Sequence, residues 1–169
     1  MKTILRNKNN LTENDITELV VRVKTLLINN NKILIANENG TFQFPGGHLE
    51  ENETHLQCIK REILEETGIV LDDNEIKECI YKVTSYSKDW PEVGKNRQCD
   101  IYYYIVKTDK NPNLNNLNLT ESEKNLNFEV EFIDLDSSID FLNKNMERNT
   151  KNYAIVPDMI EAIKEYLNN

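Results

Sequence analysis

Glu62, Glu65 and Glu66 stand at i, i+3 and i+4 in the run Arg61-Glu62-Ile63-Leu64-Glu65-Glu66-Thr67-Gly68. On a helix that spacing places all three side chains on one face. Local physics disfavours this. Like charges at i,i+4 destabilise a helix by about a few tenths of a kcal/mol. Glu65 and Glu66 also fall in the last turn, where the helix dipole prefers cations. A break with local rules that nothing nearby compensates points to function. A hard divalent cation would compensate it, because Mg²⁺ and Mn²⁺ take carboxylate oxygens together with substrate phosphates. An E-x-x-E-E fragment by itself is also common on solvated helix faces, so the residues around it decide.

The element that must carry these carboxylates is a helix over about 54–67. Thr54 and Gln57 make a capping box. Leu56, Ile59 and Ile63 give the apolar stripe, and Gly68 suits the left-handed residue just past the end. Upstream, Val20 to Ile28 and Lys32 to Ala36 read as strands joined by the Asn29-Asn30-Asn31 turn, hence as a hairpin. Phe42-Gln43-Phe44 reads as a short strand stopped by Pro45-Gly46-Gly47. Downstream, Ile76 to Tyr86, Asp100 to Lys107 and Phe128 to Leu135 read as strands. Ser87 to Gln98 is a loop over the site, and Asn111 to Asn127 is an asparagine-rich surface loop. Ser137 to Leu142 is a short helix, and Pro157 to Leu167 a terminal helix with proline in its first turn. Strands flanked by helices in this order give an α/β layered domain. Residues 1–17 read as an N-terminal extension and 18–169 as the domain.

The stretch from Gly47 to Ile69 resembles the Nudix box, G-x5-E-x7-R-E-U-x-E-E-x-G-U, where U is aliphatic. Gly47, Glu53, Arg61, Glu62, Ile63, Glu65, Glu66, Gly68 and Ile69 fill every fixed position. The preceding Phe44-Pro45-Gly46 and the flanking strands are also similar to that family. The resemblance to the Nudix hydrolases, the MutT-like ones included, implies an α/β/α sandwich with a mixed sheet and a loop–helix–loop motif. It implies hydrolysis of the diphosphate linkage of a nucleoside diphosphate-linked substrate by water attack at phosphorus. It implies Mg²⁺ or Mn²⁺ held by Glu62, Glu65, Glu66 and the Gly47 carbonyl. Arg61 would orient a catalytic glutamate, and Glu53 would hold the loop to the helix. Arg61 could equally form a plain i,i+4 pair with Glu65.

The general base stays open between the box and a later loop, where Glu121, Glu123 and Glu129 are candidates against a solvated-loop role. Arg22, between Val21 and Val23, is aimed away from both and serves substrate phosphate or the sheet surface. Phe44 and Tyr86 are candidate substrate contacts. Tyr86 lies 17 residues after Ile69, a spacing similar to a marker of dinucleoside-polyphosphate members, so that subtype is one alternative. A nucleotide-sensing module that does not hydrolyse its ligand is another. His48 and His55 have no metal-pair spacing, and Cys58 is a core residue.

Composition fits this reading. The chain has 169 residues, 38% hydrophobic and 29% charged, which suits one soluble globular domain. Its apolar runs are too short for a membrane span. Three scattered cysteines and no evident signal segment point to the cytoplasm. A net charge of -9 repels nucleic-acid backbones, so the expected partner is a small nucleotide-like diphosphate and not a polymer or a membrane. The same charge repels that small substrate unless cations lie between. A homodimer is compatible with the sequence.

Overall fold

Period-two burial in the strands decides the architecture. In strand β2 (Glu18–Asn29), Leu26 and Ile28 face one core, while Val23 and Leu27 face another. In β3 (Lys32–Glu38), Ile33 and Ile35 face the first core and Leu34 the second. A sheet buried on both faces must be covered on both faces. The computed structural model describes residues 1–119, 121, 124 and 127–168, and Glu123 lies outside the described residues.

Seven strands form one mixed sheet: β1 (Lys2–Arg6), β2, β3, β4 (Thr41–Gln43), β5 (Ile76–Ser87), β6 (Arg97–Lys107) and β7 (Phe128–Asp134). The order is β1-β5-β6-β2-β3-β4, with β7 also on β3. β2 runs parallel to β6 and β1 parallel to β5, whereas β5–β6, β2–β3, β3–β4 and β3–β7 are antiparallel. Helix α1 (His55–Thr67) covers one face through Cys58, Ile59 and Ile63. Helices α2 (Ser138–Lys144) and α3 (Asn152–Leu167) cover the other through Leu142, Val156, Met159 and Ile163. The result is the α/β/α sandwich expected from the sequence.

The sheet is opened where the site lies. β2 and β3 pair only at their turn, Ile28 with Ile33 and Asn29 with Lys32. Beyond that, Pro45 to Leu49 takes the vacated edge of β2. The Thr25 and Val23 amides donate to the Pro45 and Gly47 carbonyls, and the Leu49 amide donates to Val21, each at 2.9 Å. Gly46 permits this approach. Its φ is +125°, and a Cβ there would lie 2.2 Å from the Val23 carbonyl oxygen.

α1 begins and ends as its sequence dictates. The Thr54 side chain accepts from the Gln57 amide, Gln57 Oε1 accepts from the Thr54 amide at 2.8 Å, and Gly68 follows in the left-handed region. The apolar stripe differs from the expected one. Leu56 is exposed, and Cys58, Ile59 and Ile63 are the residues that enter the core. Leu56 lies in the first turn and precedes Ile59 and Ile63 at helical spacing, but the sheet packs against the Cys58 side. The terminal helix also starts earlier than expected, at Asn152, so Pro157 lies inside it and not in its first turn. Pro157 removes only the bond to the Tyr153 carbonyl, one turn from the helix start, and Asn152 anchors that start. Asn152 is buried, with its Oδ1 accepting from the Phe42 amide and its Nδ2 donating to Gly40.

The asparagine-rich segment packs against the end of α1. The Asn113 and Asn118 amides donate to the Thr67 and Glu65 carbonyls at 2.8 and 3.0 Å, satisfying acceptors that a helix end leaves orphaned. Residues 1–17 supply β1 at the sheet edge, tied to α3 by Lys2 with Glu161 and Glu165.

Ile63→Ala should cost about 2–5 kcal/mol in urea unfolding, as truncation of a fully buried isoleucine does. Leu56→Ala should cost about 0.5 kcal/mol or less. Equal losses would contradict the burial pattern.

Candidate active site

The loop after β4 and the exposed side of α1 close around a cavity of about 520 Å³. Gly47 and Glu62 meet at its wall. A Cβ on Gly47 would lie 2.2 Å from Glu62 Oε1, so any larger residue would push the carboxylate away. Glu65 and Glu66 line the same cavity, as do Arg22 and Lys24 from β2, Glu38 from β3 and Gln43 from β4.

Arg61 organises the acids. Its Nε and Nη2 donate to Glu53 Oε1 and Oε2, each at 2.9 Å, a two-pronged pair that binds the loop to the helix. Nη2 also donates to the His48 carbonyl at 3.0 Å. Nη1 donates to Glu62 Oε1 at 2.7 Å and reaches Glu65 Oε2 at 3.4 Å. The hydrogen bond to Glu53, then that to Glu62, holds the guanidinium protonated more firmly than usual. The same bond keeps the Glu53 carboxyl below the usual range. Glu62 moves the other way, since burial pushes its carboxyl up while Arg61 opposes this. Glu66 is buried, and its Oε2 accepts from the Gly46 amide at 2.8 Å.

The three glutamates therefore share one cavity without meeting at one point. Among the described residues, no three His, Cys, Asp or Glu side chains form a group that could hold one ion. Their chemistry suits a hard cation, since the lining supplies carboxylate and carbonyl oxygens. The geometry is that of carboxylates held by arginine and by a backbone amide.

Several lining residues were not singled out from the sequence. Lys24 is the most telling. Its Nζ donates to Gln43 Oε1 at 3.0 Å and to the Gly46 carbonyl. Burial pulls the ammonium down, while Glu66 and Glu62 push it up. The available signal was its place two residues after Arg22, on the same side of a strand. Arg22 Nε donates to His48 Nε2 at 3.1 Å, a contact that needs the loop folded back on β2. Glu38, Gln43 and Glu50 also reach the cavity only through the fold.

The remaining candidates are dispersed. Phe44 is buried beside the cavity, edge-on to Tyr103 with ring centroids 6.3 Å apart. Tyr86, opposite Gln98 on β5 and β6, lines neither this cavity nor the cleft beside Phe44. Glu129 is exposed on β7, opposite Asn37, in a separate hollow that Glu66 also borders. Glu121 is exposed and lines neither the cavity nor that hollow. His55 packs at a tilt against Tyr102, ring centroids 4.5 Å apart, and its Nδ1 meets the Tyr104 hydroxyl at 2.9 Å. Cys58 is buried, and burial pushes its thiol up to about 12.

The NUDIX domain family model matches residues 18–153. The chain belongs to the Nudix family. The Nudix segment is 36% identical over 99 residues to the mRNA-decapping protein g5R of African swine fever virus, covering 53% of this chain and 38% of that protein. It is 33% identical over 72 residues to the 8-oxo-dGTP diphosphatase of Proteus vulgaris, covering 43% and 55%. The matches thus span about two fifths and about half the length of these curated relatives. The Nudix fold is shared with the E. coli ORF135 protein, with a TM-score of 0.58 at 16% identity over 94% of each chain. It is also shared with the Bacillus halodurans MutT protein, at 0.52 and 17% over 72% of each chain. No helix among the described residues of this Nudix chain is long and apolar enough to cross a membrane.

A carboxyl held below its free value stabilises the fold above the free carboxyl pKa of 4.5, and that contribution is lost as pH falls through the lower folded value. In an NMR titration Glu53 should therefore titrate below a free glutamate, and Arg61→Ala should return it to the ordinary range. An unchanged Glu53 titration in that variant would contradict the pairing.

Proposed function

We propose that the chain is a metal-dependent pyrophosphohydrolase that cleaves the diphosphate linkage of a small nucleotide-like substrate, with residues 18–169 as the catalytic unit. The observation that carries this is the single cavity lined by Glu62, Glu65, Glu66 and Gly47 together with Arg22 and Lys24. A cavity lined by both carboxylates and cationic side chains suits a diphosphate bridged to carboxylates by Mg²⁺ or Mn²⁺. The names of the viral decapping protein and the Proteus diphosphatase support a nucleotide substrate.

Glu62, Glu65 and Glu66 would hold the cation, with the Gly47 carbonyl as a further donor. When bound, the cation neutralises the diphosphate and lowers the pKa of a coordinated water. The chain's own groups do the rest. Arg22 and Lys24 bind phosphate oxygens and orient the linkage. Arg61 keeps the carboxylates together before substrate arrives, and its two-pronged bond to Glu53 leaves Nη1 as the arm that yields Glu62 and Glu65. A carboxylate of the cluster, Glu65 or Glu66, accepts the proton of the attacking water. Glu66 is held by the Gly46 amide, while Glu65 has the looser contact and the greater freedom to turn.

Assay of a nucleotide panel with Mg²⁺ or Mn²⁺, and with products identified, tests this reading. Turnover should require the metal and cease with chelator. Glu65→Gln and Glu66→Gln should each lower kcat by about 10²–10⁴-fold while remaining folded. Metal binding without hydrolysis of any diphosphate, or full rates in both variants, would sink the assignment.

A further inference from the structure

Three polar residues of the cavity lining, Glu38, Gln43 and Lys24, are joined end to end. Gln43 lies opposite Ala36 in the β3–β4 ladder, and Glu38 lies opposite Thr41. Gln43 and Glu38 are therefore diagonal neighbours on one face of that pair, within reach of long side chains. Gln43 Nε2 donates to Glu38 Oε1 at 3.1 Å. The other end of the amide crosses the split to β2, where Gln43 Oε1 accepts from Lys24 Nζ at 3.0 Å. Lys24 Nζ also donates to the Gly46 carbonyl.

The carboxylate decides which way the amide points. A glutamine amide has a donor end and an acceptor end. Turned over, it would set its carbonyl against the Glu38 carboxylate and its amino group against the Lys24 ammonium, and both contacts would repel. With Glu38 in place, the oxygen faces the lysine. These side-chain bonds are not required to join the strands. β3 and β4 share a backbone ladder from Ala36 to Glu38, and the Pro45 to Leu49 loop is bonded to β2 through the backbone. What they fix is the end of a lysine side chain, a point charge on a flexible four-carbon stem. A loose ammonium in this cavity would be drawn to Glu66 and Glu62, since both carboxylates attract its charge.

We propose that Gln43 is a positioning residue for substrate binding: oriented by Glu38, its amide oxygen holds the Lys24 ammonium in place for a phosphate oxygen of the substrate. This rests on the diphosphate-hydrolase reading of the cavity. An ammonium has three N–H donors. Two go to Gln43 and to the Gly46 carbonyl, and the phosphate takes the third. Holding the chain beforehand lowers the ordering cost of binding. The gain applies to ground state and transition state alike, so it is read in KM and not in kcat.

The test is a double-mutant cycle on the full chain: wild type, Gln43→Met, Lys24→Met and the double variant. Each is assayed with Mg²⁺ on the nucleotide that the wild type hydrolyses fastest. Gln43→Met removes both ends of the amide at nearly the same length. It should raise KM about threefold to tenfold, with kcat changed about twofold or less. Lys24→Met should raise KM about tenfold to a hundredfold, the effect of losing a charge-assisted hydrogen bond. In the Lys24→Met background, Gln43→Met should change KM about twofold or less, because a residue that acts through the ammonium has nothing left to act on. Glu38→Met, which leaves the amide free to turn over, should show the same loss as Gln43→Met, and Glu38→Gln, which keeps an acceptor, should recover part of it. Losses that multiply in the double variant, a fall in kcat at unchanged KM, or a lowered melting temperature with unchanged kinetics would overturn the proposal. Should Gln43→Met fail to fold, Glu38→Met and Glu38→Gln decide by the same cycle against Lys24→Met. If the wild type hydrolyses no nucleotide, the hydrolase reading fails separately. Calorimetric binding of inorganic pyrophosphate with Mg²⁺ then decides: weakening by Gln43→Met that vanishes in the Lys24→Met background supports the positioning role, and independent losses or no binding overturn it.

Discussion

One guanidinium governs the acidic wall of the cavity. Three glutamates within five residues of one helix repel each other, and two of them sit at the end of the helix that repels anions. Arg61 answers this by placing its forked face on Glu53 and its remaining arm on Glu62 and Glu65. The two tasks are linked. The bond to Glu53 fixes the guanidinium against the loop, so the other arm is held toward Glu62 and Glu65. Arginine suits the position because a lysine ammonium has no planar fork to serve two carboxylates in fixed directions.

The same constraint reaches into the sheet. Glu62 packs so close to Gly47 that no side chain fits there, and Glu66 takes the Gly46 amide. The loop carrying both glycines can stand there only because β2 parts from β3 beyond their shared turn and offers its free edge. Backbone hydrogen bonds to β2 therefore place the loop, the loop places the carboxylates, and β2 itself brings Arg22 and Lys24 to face them. The cavity is a seam between a helix face and a split in a sheet, and neither element forms it unaided.

The asparagine-rich segment and the N-terminal strand extend this logic outward. The first covers the carbonyls at the end of α1, where Glu65 and Glu66 reside. The second is bonded to α3. Among the described residues, neither segment lines the cavity itself, and peripheral segments of this kind can vary while the carboxylate helix stays unchanged.

The boundaries of α1 are legible in the residues themselves, because a capping box and a glycine C-cap are short-range devices. Period-two alternation marks most strand positions and both buried faces for the same reason, and the spacing of the box alone picks out the residues of the acidic wall. Long-range packing decided the rest. Leu56 has the spacing of a core residue and is exposed because the sheet presses on the Cys58 side. Pro157 resembles a helix start and lies within α3 because Asn152 is anchored to β4 and its turn, 110 residues earlier. Lys24, Gln43 and Glu38 join the cavity, and Tyr86 does not, because strand order and the parting of β2 from β3 determine which side chains meet. A hydrogen bond between neighbours in sequence is written in the sequence; an encounter between residues a hundred positions apart exists only once the chain has folded.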